Sequence, residues 1–475
     1  MMRLVYLFIL FSTLQLSASL KHLTLQRALG ILERNNLEIK ISKYNESMKY
    51  YEHIAAKAKN YGTLDLEFTA LRSNDAGNVF GFKLQSREAS FADFGFSDFL
   101  GGIGQAVKGS VDPNTGMPNF ANFTNILNQA GPQILAMKPK DLNYPKPRNH
   151  FIAKLTYKVP LYTGGMLTHY KAITKKLYRM SKLDTKKLLA LKRYELKKTF
   201  YDIGLVNNFI ANLNRIKRNI TKLKRIIKEM QKEGYAIETD YLEVDARLGE
   251  VEAMLDEARL NRKLAYQFLS FLLNQKVVSV VPPKRIPKTP KVTKSIVESR
   301  AIDIAKAKLG LSITKNAIEV AKAKFKPTVG AFAEYGNAND NLFVVERKPF
   351  YTVGVQAKIN LYNGGADKAA LEKAKVEFLK TATQVTLAKK GLWLKASKLK
   401  SQIRSLNSRV RSFQKEYRFA KRVYKTYQEK YRLGIVSITE VLIKQSKELE
   451  VLMKLLKVKN ERNERILALQ KLINK

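Results

Sequence analysis

Leu161-Tyr162-Thr163-Gly164-Gly165 recurs 200 positions on as Leu361-Tyr362-Asn363-Gly364-Gly365. Gly234 with Thr239, Asp240 and Leu242 recurs at the same offset as Gly434 with Thr439, Glu440 and Leu442. Each Gly-Gly pair therefore lies 69 residues ahead of the next matching glycine. Two equal spacings mark an internal duplication, which governs how every flanking segment is read. Upstream, Leu37–Lys43 (LEIKISK) resembles Leu309–Lys315 (LGLSITK) at an offset of 272, so the first copy carries a surplus, most of it between residues 72 and 149. The expected organisation is a leader over 1–19, a first repeat over 20–275, a linker over 276–295 and a second repeat over 296–475. Pro282, Pro283, Pro287 and Pro290 make the linker extended.

The 69-residue arms read as helices. Phe200, Ile203, Val206, Ile210, Leu213, Ile216, Ile220, Leu223, Ile227 and Met230 follow one another at gaps of three and four, the coiled-coil period. Neither arm, 166–233 or 366–433, contains proline. At 1.5 Å per residue such a helix is on the order of 100 Å long. Each arm is expected to turn at its glycine, Gly234 or Gly434, and return through a helix over about 238–274 or 438–474. Opening helices are expected at about 23–60 and 296–326.

Between opening helix and arm the period changes to two. Phe151, Ala153, Leu155, Tyr157 and Val159 alternate with Ile152, Lys154, Thr156 and Lys158. Tyr351, Val353, Val355, Ala357 and Ile359 alternate with Thr352, Gly354, Gln356 and Lys358, and Leu64, Leu66, Phe68 and Ala70 with Asp65, Glu67 and Thr69. Residues 328–336 form a fourth, weaker run. Such runs, with Tyr61, Phe151, Tyr162, Tyr335, Phe350 and Tyr362 at their ends, fit transmembrane β-strands and their aromatic girdles. An ordinary antiparallel sheet with one wet face shows the same alternation. Four strands cannot close a membrane barrel, and open edges in lipid leave backbone groups unpaired. Membrane strands would therefore be pooled between chains, and a trimer would supply twelve.

Composition bounds the partners. The chain has 475 residues, 86 Lys+Arg against 41 Asp+Glu, a net charge of +45, and no cysteine. The charge alone suggests a polyanion such as nucleic acid. Met1-Met2-Arg3, the apolar run Leu4–Leu16 and Ser17-Ala18-Ser19 instead describe a secretory leader cleaved after Ala18 or Ser19, which removes the chain from cytosolic nucleic acid. The excess also avoids the strands. Residues 61–165 hold 10 basic and 8 acidic residues and 327–365 hold 3 of each, whereas 366–475 hold 28 and 10. Zero cysteine excludes disulfides, thiol catalysis and an N-terminal lipid anchor. His22, His53, His150 and His169 are scattered, and Gly101-Gly102-Ile103-Gly104 lacks the lysine of a phosphate loop, so no enzyme, metal or cofactor is expected. Residues 73–149, rich in Gly, Asn and Pro, read as a long extracellular loop partly folded over a barrel mouth.

Together, Leu23–Asn36 (LTLQRALGILERNN), the corners Val159–Gly165 (VPLYTGG) and Ile359–Gly365 (INLYNGG), and Glu429–Leu442 (EKYRLGIVSITEVL) resemble the TolC family of outer-membrane efflux channels. The resemblance covers nearly the whole mature chain. It implies an α+β membrane protein, a homotrimer whose four strands per chain form a twelve-stranded barrel in outer-membrane lipid, continued by a long helical periplasmic barrel. It implies a passive duct whose cargo comes from a periplasmic membrane-fusion adaptor and an inner-membrane pump of RND, ABC or MFS type, in efflux or type I secretion. By position it implies a periplasmic aperture at Asp240, Tyr431 and Glu440. It also implies coiled-coil turns for adaptor docking at Gly234, Thr239, Arg432, Gly434 and Thr439, and strand-to-helix corners at Gly164, Gly165, Gly364 and Gly365. Ile443 stands where the family has a further acid, Val436 where it has an arginine, and Asn360 where it often has proline. Asp240 and Glu440 also read simply as acids favourable at a helix N-terminus. The alternative class is a secreted structural or adhesive coiled-coil protein without a pore.

Overall fold

The computed structural model describes residues 19–342 and 349–474, so the expected leader, save Ser19, lies outside the described residues. The first copy runs β1 (Leu23–Thr24), α1 (Leu25–Asn35), α2 (Leu37–Ala58), β2 (Thr63–Ser73), α3 (Ala76–Gln85), α4 (Phe96–Gly109), α5 (Phe120–Leu135), α6 (Lys140–Asn143), β3 (Arg148–Tyr162), α7 (Met166–Lys232) and α8 (Glu238–Leu273). The second runs β4 (Val280–Val281), α9 (Lys294–Arg300), α10 (Ile302–Ala323), β5 (Thr328–Asn339), β6 (Pro349–Lys358), α11 (Ala366–Arg432) and α12 (Ile438–Leu472).

Three expectations change. The opening helices are not continuous: each is interrupted by one residue in extended conformation, Asn36 (φ −61°, ψ 123°) or Ala301 (φ −69°, ψ 119°). Asn36 makes its break stable, because Nδ2 donates to the Leu272 carbonyl at 2.8 Å while Oδ1 accepts from the Ile39 amide at 3.0 Å. The offset between opening helices is 265, not 272: α2 and α10 are both 22 residues long, start at Leu37 and Ile302, and lead into Ala56–Lys59 (AKAK) and Ala321–Lys324 (AKAK). The difference is seven residues, one heptad, which is the slip that a 3.5-residue period permits. Finally, the stretch expected as loop over 73–149 is folded into α3 to α6, with Val79, Ala106 and Ile134 as its buried apolar residues.

The chain divides into two units. In the helical unit (described residues 19–53, 172–318 and 372–474) the apolar stripe of α7 is the core. Phe200, Ile203, Ile210, Leu213, Ile216, Ile220, Leu223 and Ile227 are all buried. Part of the stripe packs with Ala28, Ile31 and Leu32 of α1 and with Leu269, Leu272 and Leu273 of α8. The duplicate core joins Val297 and Ile304 to Ile403 of α11 and Leu469 of α12, which correspond to Ile203 and Leu269 at the 200-residue offset. A third core joins the two hairpins: Ile216, Ile220 and Ile227 of α7 and Val251 and Leu255 of α8 meet Tyr424 and Tyr431 of α11 and Val441 and Leu449 of α12. The linker contributes too, since β4 pairs with β1 in parallel, Leu23 with Val280.

The strand unit (described residues 54–171 and 319–371) holds one antiparallel sheet in the order β2-β3-β5-β6. The middle pairing, β3 with β5, joins the two copies. Register places Leu66, Leu155, Tyr335 and Tyr351 in one row and Asp65, Thr156, Glu334 and Thr352 in the next, so side chains alternate between an apolar and a polar face.

Candidate functional site

Each arm begins at a Gly-Gly corner. Gly164 and Gly165 have φ of +62° and +91°, and Gly364 and Gly365 of +66° and +84°, the left-handed region that a side chain strains. Gly164 is also sterically fixed, because a Cβ there would lie 2.7 Å from the Ala323 carbonyl oxygen, whereas Gly364 has open space. The residue before each pair caps the helix that follows. Thr163 Oγ1 accepts from the Leu167 amide at 3.2 Å, and Asn363 Oδ1 accepts from the Asp367 amide at 3.3 Å. Asn360, standing where the family often has proline, donates to Asp367 Oδ2 at 3.2 Å.

At the other end of each arm the helix stops through Gly234 (φ +80°) and Gly434 (φ +71°). The following helices begin differently. Ser437 Oγ accepts from the Glu440 amide at 3.2 Å and Glu440 Oε2 accepts from the Ser437 amide at 3.0 Å, a complete capping box. In the first copy Asp240 Oδ2 accepts from the Ile237 amide at 3.4 Å, but isoleucine has no oxygen to return, so only half the box forms. Asp240 and Glu440 thus both act on helix starts, whatever else they do. Tyr431 is buried in the hairpin core, and burial pushes its phenol pKa up, with the Asp240 carboxylate adding to the shift. Thr439 Oγ1 donates to Glu243 Oε2 at 2.9 Å and ties the two hairpins together near their tips. Thr239 and Arg432 are exposed, as are the large apolar residues Tyr235, Ile237, Leu433 and Ile435, 62–79% accessible on the two turns.

Above the turns lies a polar belt that the sequence reading did not single out. Arg215 Nη2 of α7 donates to Glu448 Oε1 of α12 at 2.6 Å, and Tyr417 OH donates to Asn212 Oδ1 at 3.1 Å. Arg247 Nε of α8 donates to Gln445 Oε1 at 2.7 Å, with a further contact to Ser446. Gln445 and Glu448 are fully buried. Burial alone would lower the Arg215 pKa, but the hydrogen bond and charge of Glu448 outweigh it and raise it. Burial, reinforced by Glu448, also pushes the Tyr424 phenol up. The signal was in the sequence: Val441, Gln445, Glu448 and Leu452 keep the four-three-four spacing of the apolar stripe, and polar residues occupy its two middle positions.

Among the described residues no group of acidic or histidine side chains is placed to hold a metal ion, and no helix is long and apolar enough to cross a membrane. The sheet presents a different kind of surface. Leu64, Leu66 and Phe68 on β2 and Tyr351, Val353 and Val355 on β6 are 62–79% exposed on its apolar face. On the polar face Lys154 lies 3.6 Å from Glu334 and 3.9 Å from Glu67.

Residues 295–475 match the family model described as outer membrane efflux protein. That stretch is similar to outer membrane efflux proteins. Solved structures extend the likeness to the whole fold. A structure of CusC, which forms a transmembrane channel, matches over 94% of this chain and 91% of its own length at TM-score 0.74 and 13% identity. The CmeC outer membrane channel of Campylobacter jejuni covers 95% and 85% at 0.73 and 14%. The outer membrane protein VceC of Vibrio cholerae covers 95% and 96% at 0.72 and 11%. No curated protein sequence matches the chain. The chain as a whole therefore shares the fold of these channel structures, as the repeated corners implied.

Proposed function

We propose that this protein is the outer-membrane exit duct of a tripartite efflux or type I secretion system. The sheet carries the reading. Its apolar face is bare, and β2 and β6 have no strand partner on their outer sides among the described residues. In lipid the bare face is favourable and the open edges are not, since each unpaired backbone group there costs several kcal/mol. Three copies pooling four strands each remove every edge in a twelve-stranded barrel, and the helical hairpins supply the periplasmic duct. The duct is passive: the cargo passes unchanged, delivered by an inner-membrane pump through a periplasmic adaptor.

The hairpin turns are the proposed adaptor contact, because exposed Tyr235, Ile237, Leu433 and Ile435 offer apolar anchors beside Gly234, Thr239, Arg432, Gly434 and Thr439. Asp240, Tyr431 and Glu440 are the proposed periplasmic aperture. Tyr431 would act there by holding the turn rather than by lining the bore, given its burial. Fractionation tests the main reading: a heat-modifiable trimer in the outer membrane supports it, and a soluble monomer refutes it in favour of a secreted coiled-coil protein. For the aperture, Asp240→Asn with Tyr431→Phe should raise single-channel conductance in planar bilayers, and unchanged conductance removes the assignment.

A further inference from the structure

The insertion between β2 and β3 does not project freely from the sheet. The Phe82 ring stacks on His150 with centroids 4.2 Å apart, and Gln85 Oε1 lies 2.9 Å from His150 Nε2. Arg87 Nη2 donates to the Pro349 carbonyl on β6 at 3.0 Å, so the segment after α3 reaches the far edge of the sheet. Glu88 pairs with Arg148, whose Nη1 also lies 3.5 Å from Asp340. Below this strap a cleft of about 460 Å³ is lined by Leu84 and Arg87 of the insertion and by Glu67, Lys154, Glu334 and Thr352 of the sheet.

Every sheet residue in that cleft belongs to the polar face. His150 and Lys154 alternate with Phe151, Ala153 and Leu155, and Thr352 alternates with Tyr351 and Val353. A membrane barrel turns its apolar face to lipid, so its polar face lines the bore. Resting on the duct reading, we infer that residues 76–88 of each chain stand inside the bore and form a constriction at its outer end that sets the largest solute able to pass. The bore is narrow for three such segments. Twelve strands about 4.8 Å apart and tilted about 40° enclose a circle roughly 24 Å across between backbones. Three helices about 10 Å wide, packed together, need roughly 22 Å. Three α3 segments in one bore leave little free cross-section.

The absence of cysteine provides the test. Thr352→Cys puts a single thiol on the bore wall beneath the strap. Intact cells are treated from outside with a small membrane-impermeant maleimide and, separately, with a polymer-tagged one. The expected result is that both label Thr352→Cys when residues 75–147 are replaced by a short Asn-Gly turn, while the uncut chain admits only the small reagent. Should the deletion fail to assemble, Arg87→Ala with Glu88→Ala releases the strap and leaves the insertion in place, and the same loss of size discrimination is expected. Equal labelling of the uncut and released chains by the polymer reagent overturns the constriction. The duct reading is checked separately on the same cells, since a chain absent from the outer-membrane fraction overturns that reading and the constriction with it.

Discussion

Removing Arg215 should damage the protein more than removing both Arg215 and Glu448. The Glu448 side chain is 0% exposed and its Oε2 atom has no hydrogen-bond partner, so among the described residues Arg215 is the ion-pair partner that offsets its charge. Arg215→Met leaves that carboxylate uncompensated among Ile216, Ile220, Tyr424 and Leu449. Breaking a buried pair in this way costs about 3–5 kcal/mol, and the Arg215 side chain, 27% exposed, sets the expectation at the lower end because water already screens part of the charge. Glu448→Met is milder, about 1–3 kcal/mol, since the guanidinium can turn toward solvent. The double variant Arg215→Met/Glu448→Met buries no charge, and replacing such pairs by apolar residues is neutral or stabilising by about 1–4 kcal/mol. Thermal unfolding of the detergent-solubilised protein, followed by circular dichroism at one scan rate, should rank the double variant at or above the wild-type chain. Glu448→Met should fall below both, and Arg215→Met lowest. A double variant melting below both single ones, or an Arg215→Met melting with the wild-type chain, refutes the reasoning.

Gly164→Ala should destabilise more than Gly364→Ala. Both incur the left-handed penalty of about 1–2 kcal/mol, but only the first drives a Cβ to 2.7 Å from a carbonyl oxygen; equal yields of assembled protein would contradict this. Ile237→Ser should complete the half-formed capping box of α8 and raise the thermal midpoint, a gain of about 0.5–1 kcal/mol, whereas Ser437→Ala should lower it by about 1 kcal/mol. Burial, then the Glu464 carboxylate, pushes the Tyr194 phenol up to about 12. Its folded pKa is raised, so the stability it contributes is complete below about pH 10 and is lost as pH rises toward 12. Absorbance titration of the tyrosines should show a fraction still protonated above pH 11 that Tyr194→Phe reduces, and uniform titration near pH 10 would contradict it. Reconstituted channels should prefer anions, because residues 366–475 alone carry 28 basic and 10 acidic side chains; cation selectivity would contradict a basic tunnel wall.

The arms were legible because a three-four stripe without proline leaves few alternatives over sixty-seven residues, and α7 and α11 begin at Met166 and Ala366 as the corners require. The strands were legible from period two, although β3 extends to Arg148, where polar and basic residues blur the alternation. The opening helices were misaligned because seven-residue similarity cannot distinguish one heptad from the next. The breaks at Asn36 and Ala301 depend on tertiary contacts, and no shared residue type marks them. The insertion escaped because its helices are short and stabilised by contacts with the sheet, such as Phe82 on His150. At the turns the glycines were plain, while the burial of Tyr431 and the belt around Glu448 needed the packing of one hairpin against the other.

The pairing of β3 with β5 also governs how the chain can fold. It joins residues 167 to 188 apart, from Tyr162 with Val329 to Phe151 with Asn339. Closing so long a loop is entropically costly and slow, and no part of that ladder can form before the second copy has emerged. Until then the first copy carries a two-stranded hairpin with a bare apolar face, the kind of transient species that aggregates. The order of synthesis therefore leaves the unfinished first copy prone to aggregation, and it makes the second copy the step that commits the sheet.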